Sequence, residues 1–342
     1  MGGIRMLDQN MSLDDIARGV LAQYEVHPVT IQVIQQGGIK TVWKVILDKG
    51  ALCLKRLNKS PEKVLFSSEA QKYIKTKGGL VPGIIENKMS ESITHYNNDL
   101  FILYEWVDGK QLNFNIKEDF EASMKGLALF HMCSQGYKPP HEARVSTKLS
   151  KWPEQYQSML NKMKDWKSVS QQKAGIAVHE TYLKWIEPIV VLGEKALEYL
   201  EHSEYNQLSC PGSSSVVLCH QDFGKGNALL TPKGVYVLDL DGVTYELAAR
   251  DLRKIILKTM ENQSEWNEQV MKNIITWYEK GRVLSAEERK MVYIDSLFPH
   301  GFFGCVKNQF IKNKSVKASS IEIIGRLELS KQNLLSALIE GV

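Results

Sequence analysis

The chain is 342 residues long, a length that indicates either two domains or one unit of two lobes. Hydrophobic residues make up 43% and charged residues 24% of the sequence, which is ordinary for a globular protein and argues against global disorder. The 43 basic and 39 acidic residues give a formal net charge of +4, which is too balanced to indicate nucleic acid as the main partner.

The sequence disfavours two further classes of protein. We find no apolar run of the roughly 18 residues that a membrane span needs, and the first ten residues lack the apolar stretch of a secretion signal. The five cysteines are widely scattered without a C-x-x-C pair, so neither a disulfide framework nor a zinc site is expected. We therefore expect a protein without a membrane span that is made and kept inside a cell.

The first hundred residues predict a small antiparallel sheet with one main helix. A capping-box pattern at Ser12 and Asp15 predicts a helix through about residue 24. The β-rich segments that follow are joined by short turns, and short turns join antiparallel strands because parallel strands need long crossovers. Ser60-Pro61 then predicts the start of a second helix that ends at Gly78. The predicted strands are 29–34, 41–47, 51–57 and 99–106.

Beyond residue 107 the pattern becomes mainly helical, with predicted helices at 118–131 and 181–200. The Lys-rich stretch 140–180 contains interspersed aromatic residues and fits either a substrate-facing insertion or a helical surface. Short strands are predicted at 216–219, 228–230 and 235–238, with helices resuming at about 246. The whole predicts an α+β fold with a small antiparallel-sheet N-lobe, 1–106, and a larger, mainly helical C-lobe, 107–342.

The stretch from His220 to Asn227, with Asp239 twelve residues later, contains the groups that phosphoryl transfer needs. A carboxylate must orient the attacking hydroxyl, and Asp222 is the candidate. Asn227 and Asp239 offer the oxygen ligands that suit Mg²⁺. Asp241 is either a further metal ligand or a polar loop residue, and we favour the loop residue because one strand-borne Asp is sufficient.

Lys55 lies in the middle of an apolar strand, where an unpaired ammonium group would be costly. Glu69, on the helix that follows, is a suitable carboxylate for an ion pair that would aim Lys55 at nucleotide phosphates. A surface ion pair without such a function is the alternative. Gly37-Gly38 predicts either a close approach of the first hairpin to the phosphates or an ordinary hairpin turn.

The strand Lys, the helix Glu, a hinge-like segment at 104–107 and the H-x-D-x-x-x-x-N motif resemble the aminoglycoside phosphotransferase and choline kinase branch of the protein-kinase-like superfamily. The resemblance spans about 31–251. Within this branch the runs 218–230 and 237–241 are most similar to the CotS-type spore coat proteins of spore-forming bacteria, and within that family to the members called CotI or YtaA. The resemblance implies a bilobal protein-kinase-like fold.

The resemblance also implies roles for individual residues. ATP would be held by hinge backbone groups near Glu105 and Val107, with Asp222 as catalytic base and Asn227 and Asp239 on magnesium. His220 would brace the loop and Asp251 would steady it from the following helix. One departure is Gln221, where many small-molecule kinases of this branch have Gly; we expect little effect if its side chain points outward.

Two functions fit these residues. The first is an ATP- and Mg²⁺-dependent phosphotransferase acting on a hydroxyl of an unidentified acceptor. The second is a structural or scaffolding coat protein that keeps the fold, since a fold does not fix an activity. The family resemblance implies a spore coat location after synthesis in the mother-cell cytoplasm, with a nucleotide and other coat proteins as partners; outside that family a cytoplasmic protein is expected.

Overall fold

The computed structural model describes residues 11–37, 40–312 and 314–341. These residues pack as two compact units. The sheet unit comprises the described parts of 1–112, 137–146 and 226–242, and the helical unit those of 113–136, 147–225 and 243–342. Both units are discontinuous in sequence, and the predicted lobe division at 106/107 stays a prediction.

The elements are numbered in chain order. The strands are β1 (Thr30–Gly37), β2 (Lys40–Ile46), β3 (Ala51–Leu57), β4 (Ile84–Ile85), β5 (Thr94–Tyr96), β6 (Asp99–Glu105), β7 (Lys110–Gln111), β8 (Val216–Cys219), β9 (Ala228–Thr231), β10 (Gly234–Val237) and β11 (Thr244–Leu247). The helices are α1 (Leu13–Leu21), α2 (Pro61–Thr76), α3 (Lys117–Ser134), α4 (Trp152–Gln171), α5 (Ala177–Glu201), α6 (Tyr205–Leu208), α7 (Ala249–Gln263), α8 (Glu268–Glu279), α9 (Ala286–Leu297), α10 (His300–Phe310), α11 (Ala318–Ser330) and α12 (Gln332–Glu340). A short 3-10 helix covers Leu240–Gly242.

The sheet unit is built on an antiparallel sheet in the order β1-β2-β3-β6-β4, with β5 also paired to β6. Its first three strands form the meander that the short turns predict. The predicted capping box of α1 is confirmed: the Ser12 hydroxyl accepts a hydrogen bond from the Asp15 backbone at 3.1 Å. Helix α1 ends at Leu21, a few residues before the predicted end.

The two faces of this sheet are covered by different helices. Trp43, Leu54 and Phe101 belong to a buried cluster with the apolar side of α1. The opposite face packs against α2, where Ile102 of β6 shares a cluster with Val64. Because successive side chains of a strand point to opposite faces, Lys55 lies on the α2 face next to the buried Leu54.

A second, three-stranded sheet in the same unit has the order β10-β9-β7. Its β9–β10 hairpin turns between Thr231 and Gly234 and pairs Ala228 with Val237 at its open end. That register brings the residue before β9 and the residues after β10 to the same end of the hairpin. The predicted Asn227 and Asp239 occupy those positions.

The helical unit contains α3 to α12 and one antiparallel strand pair, β8 with β11. Residues 244–247 form a strand, and α7 begins at Ala249, so the prediction that helices resume at about Glu246 is wrong locally. The stretch 140–180 includes the helix α4, which buries Trp152 and Tyr156. Tyr156 stacks on Phe298 with ring centroids 4.0 Å apart, so one side of α4 belongs to the core of the unit.

Across the described ranges, no helix combines the length and the apolar character that crossing a membrane would require.

Candidate functional site

The loop that contains Asp222 begins where β8 ends, in the helical unit. The backbone N–H of His220 donates to Asp251 Oδ2 at 2.6 Å, and that of Gln221 donates to Oδ1 at 3.0 Å. Asp251 lies in the first turn of α7 and is buried. One carboxylate therefore fixes two consecutive peptide groups just before Asp222.

Asp251 is itself oriented by a buried histidine. His131 Nε2 lies 3.2 Å from Asp251 Oδ2, and its Nδ1 lies 2.9 Å from the Tyr278 hydroxyl. Burial alone would raise the pKa of Asp251, but hydrogen bonds from His131 and the His220 backbone hold it below its ordinary value. Burial lowers the pKa of His131. A neutral His131 therefore donates from Nε2 to the carboxylate and accepts at Nδ1 from Tyr278.

The ring of His220 packs inside the same loop. It meets Phe130 and Phe223 edge-on, with centroids 6.0 and 6.1 Å away. Its Nδ1 accepts a hydrogen bond from the Asp222 backbone at 3.3 Å. These contacts limit the conformations of the loop, while the Asp222 residue itself is exposed.

Gln221 adopts a left-handed backbone conformation with φ +72°. This region costs a side-chain-bearing residue free energy that glycine does not incur, which gives a physical reason for the glycine common at this position in the resembling kinases. The side-chain Nε2 is buried and has no hydrogen-bond partner within the described part of the chain. The condition under which we expected little effect, an outward-pointing side chain, is therefore not met by this amide group.

In the sheet unit, Lys55 is held between two carboxylates. Its Nζ lies 2.6 Å from Asp239 Oδ1 and 2.5 Å from Asp241 Oδ2, and the lysine is only 5% exposed. Burial alone would lower the pKa of Lys55, but the charges of Asp241 and Asp239 raise it above its ordinary value. The ammonium group is therefore charged, buried and paired.

Asp239 is shared by two lysines. Lys40 Nζ lies 2.6 Å from Asp239 Oδ2, the oxygen that Lys55 does not contact. Burial alone would raise the pKa of Asp239, but Lys55 and Lys40 hold it well below its usual range. We call Lys40, Lys55, Asp239 and Asp241 the Lys55 cluster. Lys59 adds a hydrogen bond to the backbone oxygen of Asp241.

The residues present fit a hard divalent cation. Asn227 and Asp239 lie at the open end of the β9–β10 hairpin, where the Leu238 N–H donates to the Asn227 carbonyl at 2.9 Å. An ionised carboxylate and a side-chain amide offer oxygen ligands, the donor type that Mg²⁺ prefers. The Asp239 side chain is 29% exposed, so part of it is accessible from solvent.

The ion pair predicted between Lys55 and Glu69 is wrong. Glu69 pairs with Lys72, three residues later on α2, at 3.2 Å, whereas Lys55 pairs with Asp239 and Asp241. A deeply buried ammonium needs close compensation, and the 239–241 segment supplies two carboxylates at contact distance. Asp241 is likewise more than a polar loop residue, since it forms an ion pair with a buried lysine.

The hinge-like segment is braced through the side chain of Glu105. Its Oε2 accepts hydrogen bonds from the Gly83 backbone at 2.8 Å and from Lys75 Nζ at 2.6 Å. The Lys44 ammonium lies over the ring of Trp106, 4.3 Å from its centroid. The roles predicted for the backbone of Glu105 and Val107 stay predictions.

Of the two predicted hairpin glycines, Gly37 ends β1 and pairs with Lys40, and Gly38 lies outside the described residues. The structure thus groups Lys55, Asp239 and Asn227 in the sheet unit, and His220, Asp222 and Asp251 in the helical unit. Sequence reasoning missed Lys40 and Lys59. A lysine two residues after the Gly37-Gly38 pair is a sequence signal that could have indicated Lys40.

Comparison with known proteins places this geometry in a wider group. Spore coat protein S of Bacillus subtilis (strain 168) is 24% identical over 332 residues, 96% of this chain and 95% of that protein. An aminoglycoside phosphotransferase from Alicyclobacillus acidocaldarius superposes with a TM-score of 0.75 at 15% identity, over 95% of this chain and 96% of that one. Amicoumacin kinase hAmiN, solved with AMP-PNP and Ca²⁺, gives a TM-score of 0.61 at 11% identity, over 95% and 94%.

These structural similarities establish the kinase-like α+β fold, and the predicted resemblance to kinase-like spore coat proteins is confirmed. A family model described as "Spore coat putative kinase YutH" matches residues 31–332. The matched segment covers most of the chain, including the Lys55 cluster and the Asp222 loop. The chain therefore belongs to the YutH family of spore coat putative kinases.

Proposed function

We propose that this protein is a spore coat phosphotransferase that binds ATP with Mg²⁺ and transfers the γ-phosphoryl group to a hydroxyl of an acceptor. The observation that carries the proposal is the Lys55 cluster. A buried, charged lysine contacts the ionised Asp239, and Asn227 lies at the same end of the hairpin as that carboxylate. Phosphoryl transfer needs such a phosphate-binding cation beside metal-binding oxygens.

Each group then has one task. Lys55 binds phosphate oxygens of the nucleotide, and Asp222 accepts a hydrogen bond from the acceptor hydroxyl and orients it. Asn227 and Asp239 hold the magnesium ion, which when bound neutralises charge on the phosphates. Asp251 and His220 act as positioning residues, because they hold the backbone that carries Asp222.

Similarity to proteins of known identity supports the proposal. Similarity to spore coat protein S supports a location in the spore coat. Contact with other coat proteins is part of the same proposal. The hAmiN complex with AMP-PNP and Ca²⁺ supports nucleotide binding with a divalent cation. The predicted hinge groups at Glu105 and Val107, and the hairpin glycines Gly37 and Gly38, belong to the same proposal as nucleotide contacts.

Transfer of radiolabel from γ-labelled ATP tests this function. The purified protein would be incubated with Mg²⁺ and a coat extract from spores that lack it, beside the Asp222→Asn variant. We expect labelled product with the wild type and a loss of at least about a hundredfold with the variant, since a positioned proton acceptor contributes 10²–10⁴ in rate. ATP binding by the variant should persist, because Asp222 contacts the acceptor.

The scaffold function is the contrary outcome. No transfer and no ATP turnover by the wild type, together with normal coat assembly in a strain carrying Asp222→Asn, would contradict the proposal. Deletion of the gene should then disturb the coat while the substitution does not.

A further inference from the structure

Lys40 is a second cation on the carboxylate proposed as the metal ligand. It is the first residue of β2, paired in the hairpin with Gly37 of β1. Its Nζ reaches Asp239 Oδ2 at 2.6 Å, while Lys55 uses Oδ1 at 2.6 Å. Both oxygens of Asp239 thus accept from an ammonium group.

The two lysines are not held equally. The Lys55 side chain is 7% exposed and also contacts Asp241. If Lys55 lost its contact with Asp239, this buried ammonium group would keep only Asp241 of these two partners. The Lys40 side chain is 30% exposed, and its ammonium can return to water at little cost. Lys40 is therefore the ammonium group that leaves more easily.

Binding of a divalent cation to Asp239 would favour the departure of Lys40 from this carboxylate. The Lys55 cluster contains two ammonium groups and two carboxylates, so its formal charges cancel before any metal binds. A metal ion added at Asp239 lies beside two like charges in a partly buried environment, where such repulsion is only weakly screened. Moving Lys40 away frees an oxygen and removes one of those charges.

We infer that Lys40 is an exchangeable phosphate-binding residue. Its ammonium group binds Asp239 Oδ2 until metal and nucleotide bind together, and the side chain then moves so that the ammonium group binds the nucleotide phosphates. This inference rests on the proposed function and adds a rule for it. The metal ion alone competes with Lys40 and binds poorly. The metal ion with a nucleotide binds well, because the phosphates give the displaced ammonium group a new partner.

The test is a Lys40→Met variant, which keeps most of the side-chain length and removes the charge. Lys49→Met is the matched control, since Lys49 is exposed in the turn between β2 and β3. Lys40→Arg tests rescue by another cation. Binding of Mn²⁺ alone would be followed by the loss of its free-ion electron paramagnetic resonance signal, and binding of ATP in excess Mg²⁺ by calorimetry.

The two affinities should change in opposite directions in Lys40→Met. We expect Mn²⁺ alone to bind about fivefold more tightly and ATP about tenfold more weakly, the scale of one charge-assisted hydrogen bond. Lys40→Arg should restore ATP binding, and Lys49→Met should match the wild type in both titrations. Thermal unfolding of each variant without ligand checks that the fold is retained.

Two results would overturn the inference. Unchanged affinities in Lys40→Met would mean that Lys40 neither competes with the metal nor binds phosphate, and a parallel weakening of both would mean that it only supports the site. In both cases wild-type ATP binding would leave the proposed function intact. Absence of ATP binding by the wild type itself would contradict the proposed function and, with it, this inference.

Discussion

The buried side chain of Asp251 fixes the backbone conformation of the loop that contains Asp222. It accepts from two backbone N–H groups and from His131, so both of its oxygens are in use. Asp251→Asn replaces one acceptor oxygen by an NH₂ group that faces a donor. We expect the free energy of unfolding to fall by about 2–4 kcal/mol, because a buried donor loses its partner.

Urea unfolding measures this change. Asp165→Asn, the same chemical substitution at an exposed position of α4, is the control and should stay within about 0.5 kcal/mol of the wild type. A similarly small effect of Asp251→Asn would show that the network does not stabilise the loop.

The left-handed conformation of Gln221 predicts that its replacement by Gly stabilises the folded protein. Replacing it by Gly removes the cost of a side-chain-bearing residue in the left-handed conformation, roughly 1–2 kcal/mol. It also removes a buried amide group without a described partner. The greater freedom of Gly in the unfolded chain offsets about 0.4–1 kcal/mol of this. We expect Gln221→Gly to raise the free energy of unfolding by up to about 1 kcal/mol, with Gln221→Ala less stable than the Gly variant. A Gly variant less stable than Ala would contradict this reading.

At the same scale, the sequence was sufficient to name candidate residues but not to determine which of them pair. The spacing of Asp222, Asn227 and Asp239 was sufficient to name them as candidates. The predicted partner of Lys55 was wrong because Glu69 was inferred from its place on the helix that follows the strand, whereas the contact to Asp239 joins residues 184 positions apart. Burial demands a counter-charge, but only the tertiary fold determines where it comes from.

Among the elements, those with local signals were predictable. The capping box of α1 and the Pro start of α2 stand in the sequence, and both helices form there. Strand β11 was missed because its partner β8 is distant in sequence, with Thr244 opposite Cys219. The buried side of α4 was left open because charged residues surround its few aromatic ones.

Strand β11 also carries an unusual carboxyl group. Glu246 is 1% exposed and accepts hydrogen bonds from Trp152 Nε1 and the Leu247 backbone, both at 3.0 Å. Burial raises its pKa to about 8, with a further rise from Asp295 and an opposing effect of Arg250. The folded protein therefore holds this proton more tightly than the unfolded chain does.

The raised pKa of Glu246 makes the free energy of unfolding depend on pH. The stability linked to Glu246 is fully present below its unfolded pKa of about 4.5 and is lost as pH rises toward the folded value of about 8. We expect the free energy of unfolding to fall by a few kcal/mol between these limits. Glu246→Gln, which cannot ionise, should flatten this part of the profile in urea unfolding at pH 5, 6, 7 and 8. Parallel profiles for the two proteins would contradict the assignment.

For the whole molecule, the match of a family model to residues 31–332 establishes the family, and structural similarity at 15% identity or less establishes the fold. Such similarity does not transfer an activity, because kinase-like folds are defined by packing and activity by a few placed groups. Here candidate groups are present, and the contacts within the Lys55 cluster favour the charged forms of Lys55 and Asp239. The proposed function therefore depends on whether the protein binds a nucleotide.

Urea unfolding with and without ATP and Mg²⁺ tests that claim most directly, with Asp239→Asn as the comparison. At a ligand concentration of 100 times the dissociation constant, the wild type should gain about 2.7 kcal/mol. Asp239→Asn should gain far less, whatever its own stability, because only the ligand-dependent difference is compared. A wild type whose unfolding is unaffected by millimolar Mg²⁺ and ATP would contradict the account.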